Sequence, residues 1–209
     1  MRIAVINETS AADRNADILG ALDGLGHDVI NAGMMKNGDS PELSYIHTGL
    51  MSAILLNART VDFVVGGCGT GQGFLISAMQ YPGVTCGHIL NPLDAWLFAQ
   101  INAGNCISLA LNQGYGWAGQ INIRFILEKL FSVESGSGYP THRREPQKAS
   151  RLLLADLNRI THRTLIEIIA GLPDGILLPA IKYPGFLTLL DSWPGTDQDI
   201  LSALHKRAR

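Results

Sequence analysis

Gly66-Gly67-Cys68-Gly69-Thr70-Gly71-Gln72-Gly73 is the stretch that decides how this chain folds. An apolar, strand-like run, Val61 to Val65, leads into it, and a helix-like run, Phe74 to Met79, leads out. Glycines between a strand and a helix let backbone N–H groups turn inward and meet an anion at the helix N-terminus. Cys68 sits inside this loop. Backbone donors and a helix N-terminus favour the thiolate form of a cysteine. A thiolate beside an anion-stabilising loop suits proton abstraction, nucleophilic attack or redox sensing.

Outward from the loop, strands and helices alternate. Strand one is Arg2–Asn7, and a helix from about Ala11 to Leu25 ends at Gly26. His27–Asn31 is strand two, followed by a loop with Gly33 and Gly38, then a helix over Pro41–Asn57. After strand three (Val61–Val65) and the glycine loop, Gly83–His88 reads as strand four. Pro92 suits the first turn of a helix running to Ala103-Gly104. Asn105–Leu111 is strand five, and Trp117–Phe131 a further helix. Such alternation predicts an α/β fold: a Rossmann-like, three-layer, five-stranded parallel sheet with helices on both faces. Ligands of such sheets bind at the carboxyl ends of the strands, where the glycine loop lies.

Beyond Ser132 the character changes. Glu134–Pro146 is a loop carrying the basic cluster His142-Arg143-Arg144. Gln147–Ala170 reads as one long helix, Gly171–Trp193 as an apolar, proline-interrupted segment, and Asp197–Lys206 as a last helix. The expected organisation is an α/β domain over 1–145 and a mainly helical C-terminal extension over 146–209, packed on that domain or on a partner subunit.

Composition narrows the function. The chain has 209 residues, 46% of them hydrophobic, with a formal net charge of −2, so general affinity for nucleic acid or anionic membrane is not expected. Without a run of about 18 apolar residues there is no expected membrane span. The chain opens directly on a strand pattern, with no signal peptide in view. Cys68, Cys86 and Cys106 form no C-x-x-C pair, which argues against a disulfide framework or zinc site and fits a reducing cytoplasm.

Several motifs in order, Ile3-Ala4-Val5, Leu25-Gly26-His27-Asp28-Val29, Tyr45-Ile46-His47, Cys68-Gly69-Thr70-Gly71-Gln72-Gly73 and Asn102-Ala103-Gly104-Asn105, resemble those of ribose-5-phosphate isomerase B and the galactose-6-phosphate isomerase subunits over about the first 145 residues. The resemblance implies an aldose–ketose isomerase that moves a proton between C1 and C2 through an enediol. It implies Cys68 as base, Thr70 as a positioning hydroxyl, and the N–H groups of Gly69, Gly71 and Gly73 as holders of the developing oxyanion. It further implies sites shared between subunits, hence a homodimer or higher homo-oligomer, and a chemistry needing no metal or other cofactor.

Departures from that pattern point to the substrate. The family's Asp-His after strand one is here Glu8-Thr9, removing a histidine that helps bind phosphate. Leu90 and Asn91 stand where a ring-opening histidine is expected, and His88 lies two residues earlier. Arg143 and Arg144 are candidates for the arginines that grip the anion, and an arginine pair binds a carboxylate as well as a phosphate. The substrate expected is a sugar phosphate or an acidic sugar such as a keto-uronate. Glu8, Thr9, His47, His88, Asn91, Asn102, Arg143 and Arg144 are the binding candidates. Two other readings compete. A dinucleotide loop would want an acidic residue about 20 positions on, and none stands clearly before Asp94. A non-catalytic, sugar-binding or partner-dependent subunit would follow from the missing histidines.

Overall fold

The computed structural model describes residues 1–209. Its five strands are β1 (Arg2–Asn7), β2 (Asp28–Asn31), β3 (Phe63–Cys68), β4 (Cys86–Ile89) and β5 (Cys106–Ala110). All pairings are parallel, in the order β2-β1-β3-β5-β4. The strand order turns back between β1 and β3, the switch point beyond whose strand ends ligands of such sheets bind.

Alternate residues of β1 serve opposite layers. Ile3 and Val5 pack with α1 (Asn15–Leu22), α4 (Pro92–Leu97) and α5 (Gly119–Leu130). Ala4 and Ile6 pack with α2 (Tyr45–Asn57) and α3 (Gln72–Ala78). This is the period of two expected of a strand buried on both faces. The three-layer arrangement agrees with the sequence reading.

The extension consists of α6 (Arg144–Thr161), α7 (Leu165–Gly171), α8 (Asp174–Ile181), α9 (Phe186–Ser192) and α10 (Gln198–Ala208). Leu165, Ile169, Leu177, Ile181, Phe186, Leu190 and Leu204 are buried in the same core as α2. Every residue from Thr48 to Leu55 in α2 is buried, because the sheet lies on one side and the extension on the other. By contrast α6 buries none of its residues, and Leu153, Leu154, Leu157 and Ile160 are exposed, Ile160 to 80%.

Several element boundaries differ from the sequence reading. Gly66 and Gly67 belong to β3 and not to a loop. A Cβ on Gly66 would sit 2.3 Å from the Phe74 ring, and one on Gly67 would sit 2.4 Å from the Leu109 carbonyl oxygen. These glycines admit close neighbours, a requirement set by residues distant in sequence. The helix expected over Gln147–Ala170 starts at Arg144 and breaks after Thr161. Thr164 and Glu167 form a capping box that starts α7 afresh. The second helix starts at Tyr45, four residues after Pro41, with Ser44 as its cap. The fourth ends as α-helix at Leu97 and widens to a π-turn over Phe98–Asn102, closed by Ala103 at φ 49°. A 3-10 turn, Ala12–Arg14, precedes α1, which ends at Leu22. No single helix is long and apolar enough to cross a membrane.

At the foot of the sheet His27 packs edge-on against Phe131, ring centroids 4.6 Å apart, and both its ring nitrogens are buried without a hydrogen-bond partner. Burial, then the N-terminal charge, lowers its pKa below 6.5. The unfolded chain therefore binds more protons than the fold between that lowered pKa and 6.5, so stability rises with pH across this window and is lost as pH falls through it. His27→Phe is expected to shrink the drop in Tm between pH 7.5 and 5.5 relative to the unsubstituted chain. An unchanged drop in thermal melts would refute this.

Candidate functional site

The loop after β3 is held by its carbonyl groups. Cys68 O accepts from Leu111 N at 3.0 Å, and Gly69 O accepts from Asn112 N and Gln113 N at 3.0 and 2.9 Å. Thr70 O faces His88 Nε2 at 3.0 Å, and Gly71 O accepts from Ser108 Oγ at 2.5 Å. All four carbonyls turn into the protein. Across a trans peptide the N–H points opposite to the C=O, so the amides of this loop are oriented as a set.

Three of those amides are already used. Gly69 N–H donates to Ser10 Oγ at 3.0 Å, Gly71 N–H to Cys68 O at 3.3 Å, and Gln72 N–H to Thr70 Oγ1 at 3.3 Å. The N–H groups of Thr70 and Gly73 have no acceptor within the protein. They are the donors this loop can offer an oxyanion, a narrower set than the sequence reading drew over Gly69–Gly73. Cys68, 6% exposed, ends β3 directly before them.

Gly71 takes φ 76°, and a Cβ there would lie 2.6 Å from His88 Nε2. Glycine is needed on both counts. Because Thr70 O can only accept, His88 carries its proton on Nε2, leaving Nδ1 to accept from Gln72 Nε2 at 3.3 Å. Both ring nitrogens are thus engaged by the loop. His88 braces the loop here, where the sequence suggested a stand-in for a ring-opening acid.

Glu8, only 4% exposed, lies across the switch point at the end of β1. Its carboxylate accepts from the backbone N–H and the hydroxyl of Ser10. Thr9 donates its N–H to Leu43 O at 3.0 Å. Beside them the turn after β5 is tied down by the Tyr115 hydroxyl, which bonds Asp17 at 2.5 Å. Burial and the Asp17 carboxylate push that hydroxyl's pKa well up.

The other expected site residues are engaged in helix caps or lie at the opposite edge. His47 Nδ1 accepts from Ser44 N–H at 3.1 Å as part of the α2 cap. Burial lowers the His47 pKa, partly offset by the Gly175 backbone. Asn91 caps α4, accepting from Leu93 N and Asp94 N at 2.9 and 3.0 Å. Asn102 is in the π-turn that precedes β5, at the edge where strands begin, and lines a groove of about 990 Å³ together with Arg151. Gly136 N and Gly138 N bond Ala99 O and Gln100 O of that region, and Arg144 Nε bonds Ser137 O at 2.6 Å. Arg143 and Arg144 therefore sit with Asn102, at the edge opposite Cys68. The structure gathers Glu8, Thr9, Cys68, Gly69, Thr70, Gly71, Gly73 and His88 at one edge, with His47 and Asn91 in helix caps at that same edge, and Asn102, Arg143 and Arg144 at the other.

Ser10, Ser108 and Asn112 were not picked out by the sequence reading. Ser10 follows Glu8 by two residues, the spacing at which a side-chain acceptor meets a backbone N–H in a turn. Ser108 offered no such signal, since its partner is 37 residues away. No group of three or more His, Cys, Asp or Glu side chains is placed to hold a metal ion.

Residues 3–138 match the family described as Ribose/Galactose Isomerase. Among solved structures, a ribose-5-phosphate isomerase from Vibrio parahaemolyticus is 42% identical, with a TM-score of 0.94 and 99% of each chain covered. A 4-deoxy-L-threo-5-hexosulose-uronate ketol-isomerase complexed with a tartrate is 35% identical, with a TM-score of 0.93 and 99% of each chain covered. Ribose-5-phosphate isomerase B from Clostridium thermocellum, 20% identical with a TM-score of 0.65, spans 78% of this chain and 100% of its own, and shares the fold. Comparison with curated protein sequences finds no match.

Removing the His88 brace should loosen the loop without unfolding the sheet. In His88→Ala, amide hydrogen exchange over Thr70–Gly73 is expected to speed up by about tenfold or more. The two lost hydrogen bonds, about 2 kcal/mol together, should lower Tm by about 4–8 °C. Unchanged exchange would show that the histidine does not hold the loop.

Proposed function

The chain belongs to the ribose/galactose isomerase family and is a sugar isomerase, and from that premise we propose that it moves a proton between C1 and C2 of an open-chain acidic sugar with Cys68 as the base. The observation that carries this reading is the arrangement at the end of β3. Cys68, nearly buried, ends β3 directly before a loop whose Thr70 and Gly73 amides are unused. The Cys68 thiolate takes the proton from the carbon beside the carbonyl. The electron pair moves onto the carbonyl oxygen, giving an enediolate that the two amides stabilise. The thiol then returns the proton to the neighbouring carbon, and a second proton is exchanged between the two oxygens. No other group need be consumed.

A keto-uronate is the favoured substrate class. Full-length similarity to a hexosulose-uronate isomerase supports it. So does Glu8-Thr9 in place of Asp-His, since it leaves a buried carboxylate and no histidine on that loop to meet a phosphate. The anionic end of the sugar would be held by Arg143 and Arg144 of a second copy. Within one chain those arginines and Asn102 lie at the wrong edge for Cys68, whereas two copies packed edge to edge would complete two sites. The exposed apolar face of α6 supplies contact surface for such a homodimer. Three free thiols fit a cytoplasmic setting.

Incubation in heavy water with pentose and hexose phosphates, free uronates and keto-uronates, followed by NMR, tests the reaction. The expected result is isomerisation with deuterium incorporation on a keto-uronate, and a loss of at least about 10²-fold in Cys68→Ala. Turnover that survives the substitution would remove Cys68 as base. Absence of turnover on every sugar would favour the partner-dependent subunit.

Mixing subunits tests the shared site. Cys68→Ala and Arg143→Ala/Arg144→Ala are each expected to be inactive alone. Co-refolded, they should recover about a quarter of wild-type activity, because half of the dimers are mixed and each carries one intact site. No recovery from the mixture would mean that sites are built within single chains.

A further inference from the structure

A run of hydrogen bonds crosses the switch point between the ends of β1 and β3, and the isomerase reading above makes no use of it. Ser10 N–H donates to Glu8 Oε2 at 3.1 Å, and Ser10 Oγ donates to Glu8 Oε1. The same Ser10 Oγ accepts the Gly69 N–H at 3.0 Å, and Ser10 O accepts from Asn112 Nδ2 at 2.6 Å. Glu8 is fixed by burial at one end of this run, and the loop that carries Cys68 is fixed at the other.

Gly69 is where the loop most needs fixing. It has no Cβ to restrict it, and it links the residue bearing the thiol to the residue bearing an unused amide. Two peptide planes meet there. The plane between Gly69 and Thr70 is held through Gly69 O by Asn112 N and Gln113 N. The plane between Cys68 and Gly69 is held on its carbonyl side by Leu111 N and Gly71 N, which donate to Cys68 O, and on its amide side by Ser10 Oγ, the one side-chain contact to it. A hydroxyl that donates to a carboxylate becomes a better acceptor, so the Glu8 charge strengthens the hold on Gly69.

We propose that Ser10 is a positioning residue for this enzyme: it couples the buried Glu8 carboxylate to the Gly69 peptide and so fixes the Cys68 thiol relative to the Thr70 N–H. The proposal rests on the isomerase reading. Ser10 acts through Gly69 and Glu8, and its role is geometric, to keep base and oxyanion donor at one separation while the proton moves. A misplacement of the two would slow the chemical step and leave binding of the sugar's distal anionic group untouched.

The test uses the full chain as Ser10→Ala, Ser10→Thr, Glu8→Gln and the Ser10→Ala/Glu8→Gln double variant. In Ser10→Ala, kcat on the substrate found by the sugar panel should fall by about ten- to a hundredfold, below the 10²–10³ seen when an oxyanion donor itself is removed. KM should stay within about twofold. Ser10→Thr, which keeps the hydroxyl, should recover kcat to within about threefold. The double variant should be no slower than Ser10→Ala, because both changes cut one relay. Exchange of the Gly69 amide, read by NMR without any substrate, should speed up by about tenfold or more in Ser10→Ala and return in Ser10→Thr. Wild-type kcat in Ser10→Ala, a loss that Ser10→Thr does not rescue, additive effects in the double variant, or an unchanged Gly69 amide would each overturn the proposal. A wild-type protein that turns over no sugar defeats the isomerase reading and the catalytic role with it. The Gly69 exchange rate still decides separately whether Ser10 holds the loop.

Discussion

The β3–β5 pairing does not stop where the strands end. Cys68 lies opposite Ala110 in the last register step, and the same ladder continues as Leu111, Asn112 and Gln113 donate to the carbonyls of Cys68 and Gly69. The rest of the site depends on this overrun. It converts a glycine-rich turn, which would otherwise sample many conformations, into an extension of the sheet. His88 from β4 and Ser108 from β5 then take the next two carbonyls. Drawing Gly69 O inward turns the Thr70 N–H of the same peptide away from it, so that free donor follows from hydrogen bonds made beneath it.

Parallel topology also explains why the two groups of candidate residues are apart. Every strand of such a sheet ends at the same edge, and each crossover helix carries the chain back to the other one. Residues on the β1, β3 and β5 turns meet. Residues at the far end of a crossover, such as Asn102, cannot join them in one chain. The loop 134–143 pairs with the π-turn and so carries Arg143 and Arg144 to that far edge as well.

Much of this was legible beforehand, for reasons that can be named. Alternation of apolar strands with helical runs is a local signal, and all five strands and their flanking helices follow it. The glycine loop with its cysteine is local too, and its place at a strand end could be read directly. What failed depended on distant partners. Gly66 and Gly67 looked like turn residues, but Phe74 and Leu109 press on them as strand residues. His88 stood in the sequence as a substitute for a ring-opening histidine or as a satisfied core residue, and only the fold shows Thr70 O and Gln72 occupying its nitrogens. The break at His162–Thr164 was visible as Thr164-x-x-Glu167, a capping signal that the apolar periodicity on either side masked. Ser10 could not be weighed without knowing that the ends of β1 and β3 are neighbours.

The all-round burial of α2 bears on how the molecule could be dissected. Leu50, Met51, Ile54 and Leu55 share one core with Leu177, Phe186 and Leu204 of the extension. The Asp197 N–H reaches Ala58 O at 2.8 Å, and the Thr60 and Thr196 hydroxyls meet at 3.2 Å within that seam. A cut near residue 145 would therefore run through the interior and not between units. The severed first part would present a wet leucine-rich helix and lone buried hydroxyls, the makings of an aggregating fragment. In this chain the helices after Thr161 are a wall of the building, though all five strands and the Cys68 loop precede them.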